Sequence, residues 1–138
     1  AGHGGVLLLN ATPNTNGLIP AGDLKLYFAF GQEIERRFSR PLAEVKDQHG
    51  ASSELILPRP TLINHAVIME DYREGERIRE YVLEGFSESQ WLELSKGTSV
   101  GRKRIDRFAS VQVQRVRLRV GRSAAEPLIR SLAVFYAP

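Results

Sequence analysis

The feature that most constrains this chain is a short apolar run at its front. In "GGVLLLNATPNTNGLIP", Val6 to Ala11 is apolar at every position but Asn10, and a Pro-, Asn- and Gly-rich loop, Thr12 to Pro20, follows at once. A strand apolar on both faces belongs in a sheet covered on both sides, as in parallel α/β folds. The next segment, Pro20 to Phe38, sets Leu24, Tyr27, Phe28, Gly31, Ile34, Glu35 and Phe38 on or near one stripe at helical spacing. Asp23 stands where a cap or first-turn acid favours a helix start. Pro41 predicts that the helix stops near Phe38 to Arg40. Strand, turn and helix make one βα unit, which is not a fold by itself. The expectation is therefore that Val6 to Phe38 closes a (β/α) barrel whose other strands lie elsewhere. The start at Ala1, with no leader pattern, reads as processing or as a piece of a larger protein.

Residues 41–53 are polar and irregular in pattern and read as a linker. From Glu54 onward the apolar period changes to two. Glu54–Pro58, Ile63–Asp71, Glu76–Phe86, Gln90–Gly97, Arg115–Val120 and Ile129–Ala137 read as strands, several separated by turn signals such as Glu74-Gly75 and Glu88-Ser89. Broken alternation at Ile78, Tyr81 and Leu83 predicts a bulge near Glu80–Val82. Many short antiparallel strands at close spacing predict a β-sandwich or a jelly roll. The organisation read from sequence is 1–40 as the barrel's terminal strand, loop and helix, 41–53 as linker, and 54–138 as sandwich.

Composition narrows the function classes. The chain has 138 residues, 42% apolar and 25% charged, with no run long enough to span a membrane as a helix. It holds no cysteine, and its three histidines, His3, His49 and His65, have no metal-ligand spacing. No metal and no cofactor are expected. The net charge of +3 draws on "GRKRIDRF" and "VQRVRLRVGR". A basic excess admits nucleic acid. In the second stretch, however, charges alternate with Val and Leu, the pattern of a strand's wet face. Neither nucleic acid nor membrane is expected as a partner.

"GGVLLLNATPNTNGLIP", the helix and "FSRPLAEV" resemble the end of the catalytic barrel of glycoside hydrolase family 29 α-L-fucosidases. "INHAVIMEDYREGERIREYVLEGF", "GTSVGRKRIDRF" and "EPLIRSLAVFYAP" are similar to the galactose-binding-like sandwich that follows it, especially in the plant type and the bacterial branch acting on 1,3/1,4-linked fucose. Val6 departs from the family pattern, which often has Asn there. The resemblance implies a secreted retaining glycosidase (apoplastic, periplasmic or cell-surface). Its nucleophile and acid/base carboxylates would stand about 5 to 5.5 Å apart on earlier barrel strands. No position here matches those carboxylates, so no catalytic residue is assigned and this chain alone is not expected to be an active enzyme.

What remains for chemistry is slight. Asn10 would stand at the carboxyl rim of the barrel strand, where barrel sites form, or would tie down its own loop. For sugar binding by the sandwich, the residue types that offer forked donors and stacking rings are His65, Arg73, Trp91, Arg102 and Arg104. Each has a plainer reading: His65 packed, Trp91 supplying core area, and Arg104 and Arg107 pairing with acids such as Glu70, Asp71, Glu80 or Asp106. The two functions carried forward are a fucosidase part whose sandwich braces the barrel, and a module that brings the enzyme to fucose- or galactose-containing glycans. The expected partners are the rest of the barrel, in the same polypeptide or as a cleaved chain, and a fucosylated glycan.

Overall fold

The computed structural model describes residues 7–137. One helix, α1 (Ala21–Phe38), precedes six strands: β1 (Ala43–His49), β2 (Ser52–Glu70), β3 (Ile78–Ser87), β4 (Gln90–Gly97), β5 (Arg104–Ser123) and β6 (Leu128–Phe135). All pairings are antiparallel, in the order β1-β6-β2-β5-β3-β4.

Two long strands make this one ladder into two layers. β6 pairs with the second half of β2 (His65–Glu70), whereas β3 pairs with the second half of β5 (Ile78–Phe86 against Arg115–Ser123). Tyr81 sits opposite Val120, yet its hydroxyl donates to Asp106 Oδ2 at 2.7 Å. Asp106 and Val120 are fourteen positions apart along β5, about 46 Å in a straight strand. The strand therefore folds back, and its two halves face each other across a shared core. That core joins Leu55, Leu57, Ile63 and Ile68 of β2 to Ile78, Tyr81 and Leu83 of β3. Val116 and Leu118 of β5 and Ile129, Leu132 and Val134 of β6 complete it. Full burial of a side chain such as Leu132 stabilises by roughly 1.5–3 kcal/mol. The β-sandwich expected from the alternation is present.

The bend explains where the sequence reading differed. Pro58 and Pro60 divide the apolar pattern of β2, and two separate strands were expected there. The strand runs through, because both prolines fall in the gap between the paired residues Ile56 and Thr61, where no ladder hydrogen bond is lost. Residues 104–114, which were not expected to be a strand, form the first half of β5. The bulge expected near Glu80 is there, with register shifts on both sides of Glu80 against β5. Glu88 and Ser89 both take positive φ (48° and 68°), the two-residue hairpin turn that matches strand twist.

Residues 41–53 are not an irregular linker. Ala43–His49 pairs with β6 from Ala43↔Val134 to His49↔Leu128, and Ala43 and Val45 pack against the core. Its acids, Lys and Gln hide the alternation, because β1 is an edge strand with little of its surface covered.

The front of the chain differs most. Val6 lies outside the described residues, and Leu7–Ala11 form no strand. Leu7, Leu8 and Leu9 are exposed. An apolar strand forms only against a partner strand, and none of the six reaches it. The loop is held by Asn14, whose Oδ1 accepts from the backbone N–H of Asn16 (2.9 Å) and Leu18 (3.1 Å). α1 has Pro20 as its N-cap, with no side-chain cap, and stops at Phe38 with Ser39 as its C-cap, within the expected range. No residue of α1 is fully buried: Leu24, Phe28 and Ile34 of the expected stripe are exposed, as are Leu26 and Phe30 beside it. Phe38 at its end reaches the sandwich, edge-on to Phe135 at 5.5 Å and to His65 at 5.7 Å. There it joins Val67, Ala133, Phe135, Met69 and Ile105 on the outer face of the β1-β6-β2 layer. β2 is thus covered on both faces over Ile63–Met69, with only Asn64 and His65 polar, an unusual feature for an antiparallel sheet.

Candidate binding cleft

One end of the sandwich gathers the connections 50–51, 71–77, 98–103 and 124–127. Glu70 organises them. Its carboxylate is fully buried and accepts from the backbone N–H of Arg77 (2.6 Å), Ile78 (3.0 Å) and Gly101 (3.4 Å), while its own N–H donates to Gly101. Two loops are tied to one strand end. Arg77 extends the bracing by donating to the carbonyl of Glu126 at 2.9 Å.

Beside this end, along the β1–β6 edge, lies an open cleft of about 370 Å³ lined by Asp47–His49, Asp71, Arg73, Glu74 and Leu128–Arg130. Tyr72 borders the adjoining hollow. Backbone irregularity shapes both walls. Asp47 takes φ 51°, and the β2–β6 register slips between Met69↔Ser131 and Glu70↔Ile129, which leaves Arg130 as the extra residue of a bulge. Bulges of this kind turn a side chain out of the ladder. Arg73 grips Asp71 through a fork, Nε to Oδ1 at 2.9 Å and Nη2 to Oδ2 at 2.6 Å. That fork, with Arg130 contributing at longer range, holds the Asp71 carboxyl at about 2, well below the ordinary carboxylate value. Hydroxyl-rich ligands suit such a set, since it offers fixed acceptors and fixed donors side by side. Among the described residues there is no group of three His, Cys, Asp or Glu that would hold a metal ion.

The residues singled out from sequence do not converge. Only Arg73 lines the cleft. His65 is buried in β2, its Nδ1 bonded to Asn64 Oδ1 at 2.7 Å under Phe38. Burial, and then the charges of Arg107 and Arg37, lower its pKa. Trp91 is not core area. It lies on the outer face of the second layer, edge-on to Phe86 at 5.3 Å, with the Arg117 guanidinium 4.1 Å from its ring centre. Arg102 is exposed in the 98–103 loop. Arg104 donates to Asp106 Oδ1 at 2.8 Å, in a largely buried network with Tyr81 and Ser95. Asn10 is exposed, and its backbone carbonyl accepts from the Tyr27 hydroxyl at 2.7 Å. Sequence reasoning missed Asp47, Tyr72 and Arg130. Nothing in a single sequence marks a left-handed Asp or a bulged Arg inside strand-like patterns.

The basic alternation near the end of the chain resolves into a ladder on the outer face. Arg117 and Arg119 reach Glu84 at 2.7 Å and 3.1 Å, and Arg115 pairs with Glu54. These acids compensate the charge of that face.

No family model matches the chain. It is 28% identical to alpha-L-fucosidase 1 of Arabidopsis thaliana over 97% of its own length and 34% of the relative's. A crystal structure from Bacteroides thetaiotaomicron, assigned as an α-L-fucosidase, superposes with a TM-score of 0.89 at 39% identity, over 93% of this chain and 30% of that one. The chain is the counterpart of one segment of the family 29 α-L-fucosidases. A glycoside hydrolase 29 family member from a rumen bacterium agrees, with a TM-score of 0.86 at 30% identity over 99% of this fucosidase-like chain and 26% of that structure. The chain spans about a third of the length of the curated relatives it matches. A chitosan-binding module from Paenibacillus shares the fold alone, with a TM-score of 0.53 at 14% identity over 67% of this chain.

Proposed function

We propose that this chain is the carboxy-terminal part of a retaining α-L-fucosidase, a glycosidase that releases L-fucose from glycans. In this reading residues 7–38 complete the catalytic (β/α) barrel and the sandwich, a jelly roll of galactose-binding type, braces it. The observation that carries the reading is the unburied front of the chain. α1 buries no residue, and Leu26, Phe28 and Phe30 project into solvent beside exposed Leu7 to Leu9. An apolar surface of this kind on an otherwise well-packed domain marks a contact with another part of a protein. The catalytic carboxylates would come from the rest of the barrel, in the same polypeptide or as a cleaved chain. Secretion follows from the family alone.

Reconstitution tests this. The complementary barrel fragment, mixed with this chain, should hydrolyse an aryl α-L-fucoside, and neither piece should do so alone. Phe28→Asp together with Leu26→Asp should abolish the recovered activity. Full activity of the barrel fragment alone would refute the proposal.

A second reading, in which the sandwich recruits the enzyme to glycans, draws support from the shared fold with a chitosan-binding module and from the polar cleft beside Asp47. It predicts sugar affinity in this chain that is independent of catalysis.

A further inference from the structure

The cleft on the β1–β6 edge brings together two charged side chains that the fold leaves unused. Asp47 lies between the pairs Lys46↔Ser131 and Gln48↔Ile129, which sets it across from Arg130. Among the described residues, neither side chain has a hydrogen-bond or ion-pair partner. Each is held by a backbone irregularity that costs free energy, the left-handed φ of Asp47 and the bulge at Arg130. Arg73 stands beside them, its side chain 87% exposed and held by Asp71 through the fork.

Charge selects the ligand class. The walls carry three carboxylates, Asp47, Asp71 and Glu74, against the guanidinium groups of Arg73 and Arg130. Asp71 already neutralises Arg73 and Arg77 neutralises Glu74, which leaves Asp47 and Arg130 in balance, so the wall has no net charge to draw an anion. Two guanidiniums among the carboxylates equally oppose a bare metal cation. A neutral polyol meets neither penalty. One hydroxyl donates to the Asp47 carboxylate while its neighbour accepts from Arg130, and the half-exposed ring of Tyr72 offers an apolar face to a sugar ring. The volume falls within the roughly 300–1,000 Å³ of small-molecule sites. We propose that Asp47, Arg73 and Arg130 form a subsite for one neutral sugar residue of a glycan, gripped through adjacent hydroxyls. The proposal gives the second reading above a location and does not depend on the activity of the parent enzyme.

The test is titration of the isotope-labelled full chain, followed by amide shifts, with methyl α-L-fucoside and methyl β-D-galactoside as neutral probes. N-acetylneuraminic acid and inorganic phosphate serve as anionic probes. At least one neutral probe should produce saturable shifts at Asp47–His49, Asp71–Glu74 and Arg130, with Kd on the order of 1–10 mM. Arg130→Ala and Asp47→Asn should each weaken binding about tenfold, and Arg102→Ala should leave it unchanged. If Arg130→Ala fails to fold, Arg130→Lys, which keeps the charge and loses the fork, should still weaken binding. The proposal is overturned if neutral probes give no saturable shift, if the shifts map around Trp91 instead, or if the anions bind more tightly. Those outcomes leave reconstituted fucoside hydrolysis untouched, so the two proposals fail separately.

Discussion

Replacing Asp106 with alanine should be among the most damaging single changes in the sandwich. Asp106 is 4% exposed. It accepts from Tyr81 Oη and Ser95 Oγ, each at 2.7 Å, and from Arg104 Nε at 2.8 Å. These donors come from β3, β4 and β5, so one carboxylate joins both layers across the core. The alanine variant strands a buried phenol and a guanidinium with only partial access to water. Breaking a buried charged pair costs about 3–5 kcal/mol, a large share of the roughly 5–15 kcal/mol that holds a domain together. Tyr81→Phe removes one donor and leaves the carboxylate two partners, so its cost should be about 1.5–3 kcal/mol. Because both changes break the same contact, the double variant should be less destabilised than the sum of the two. Urea denaturation followed by Trp91 fluorescence measures all three. With a slope of about 1–3 kcal/mol per molar urea, Asp106→Ala should lower the midpoint by about 2 M. An Asp106→Ala loss under about 1 kcal/mol, or strict additivity with Tyr81→Phe, would refute the reasoning.

Other outcomes follow from the same geometry. A Cβ on Gly97 would sit 2.7 Å from Cε1 of the buried Tyr81 ring, so Gly97→Ala should destabilise by about 1–3 kcal/mol, read by thermal denaturation. Glu70→Ala removes the acceptor that ties two loops to β2, and hydrogen exchange should quicken at the amides of Arg77, Ile78 and Gly101 while the centre of β2 stays protected. His65 is held neutral by burial beside Arg107 and Arg37, so its pKa lies below the ordinary 6.5. The unfolded chain then binds the proton first, and the His65 contribution is intact above about pH 6.5 and lost as pH falls toward the folded pKa. His65→Gln should flatten that acid limb in pH-dependent denaturation, and an unchanged slope would contradict it.

The sequence made the sandwich legible wherever one strand face met the core and the other met water. Arg115–Val120 alternates cleanly for that reason, and the Glu88-Ser89 turn has its hairpin. It failed where burial was not one-sided. β1 is an edge strand with a mostly polar sequence, and its pairing with β6 depends on residues some ninety positions away. The two halves of β2 looked separate because Pro58 and Pro60 interrupt the pattern, and only the bend between layers reconciles them with a continuous strand. The cleft was hardly legible. Arg73 was visible as a residue type, but Asp47 and Arg130 owe their positions to a left-handed backbone and a bulge that no local pattern encodes. The apolar runs Val6–Ala11 and Leu24–Phe38 were visible as needing a cover, and in this chain only Phe38 among the described residues reaches the sandwich cluster.

That uncovered front leads to the most direct measurement, the mass of the species that carries this chain in its native source, with fucose release assayed on the same fraction. The account predicts that the 15.4 kDa sequence travels within or bound to a larger polypeptide, and that this fraction releases fucose. A stable, inactive monomer of 15.4 kDa, with Leu26, Phe28 and Phe30 open to solvent and no tendency to associate, would contradict it.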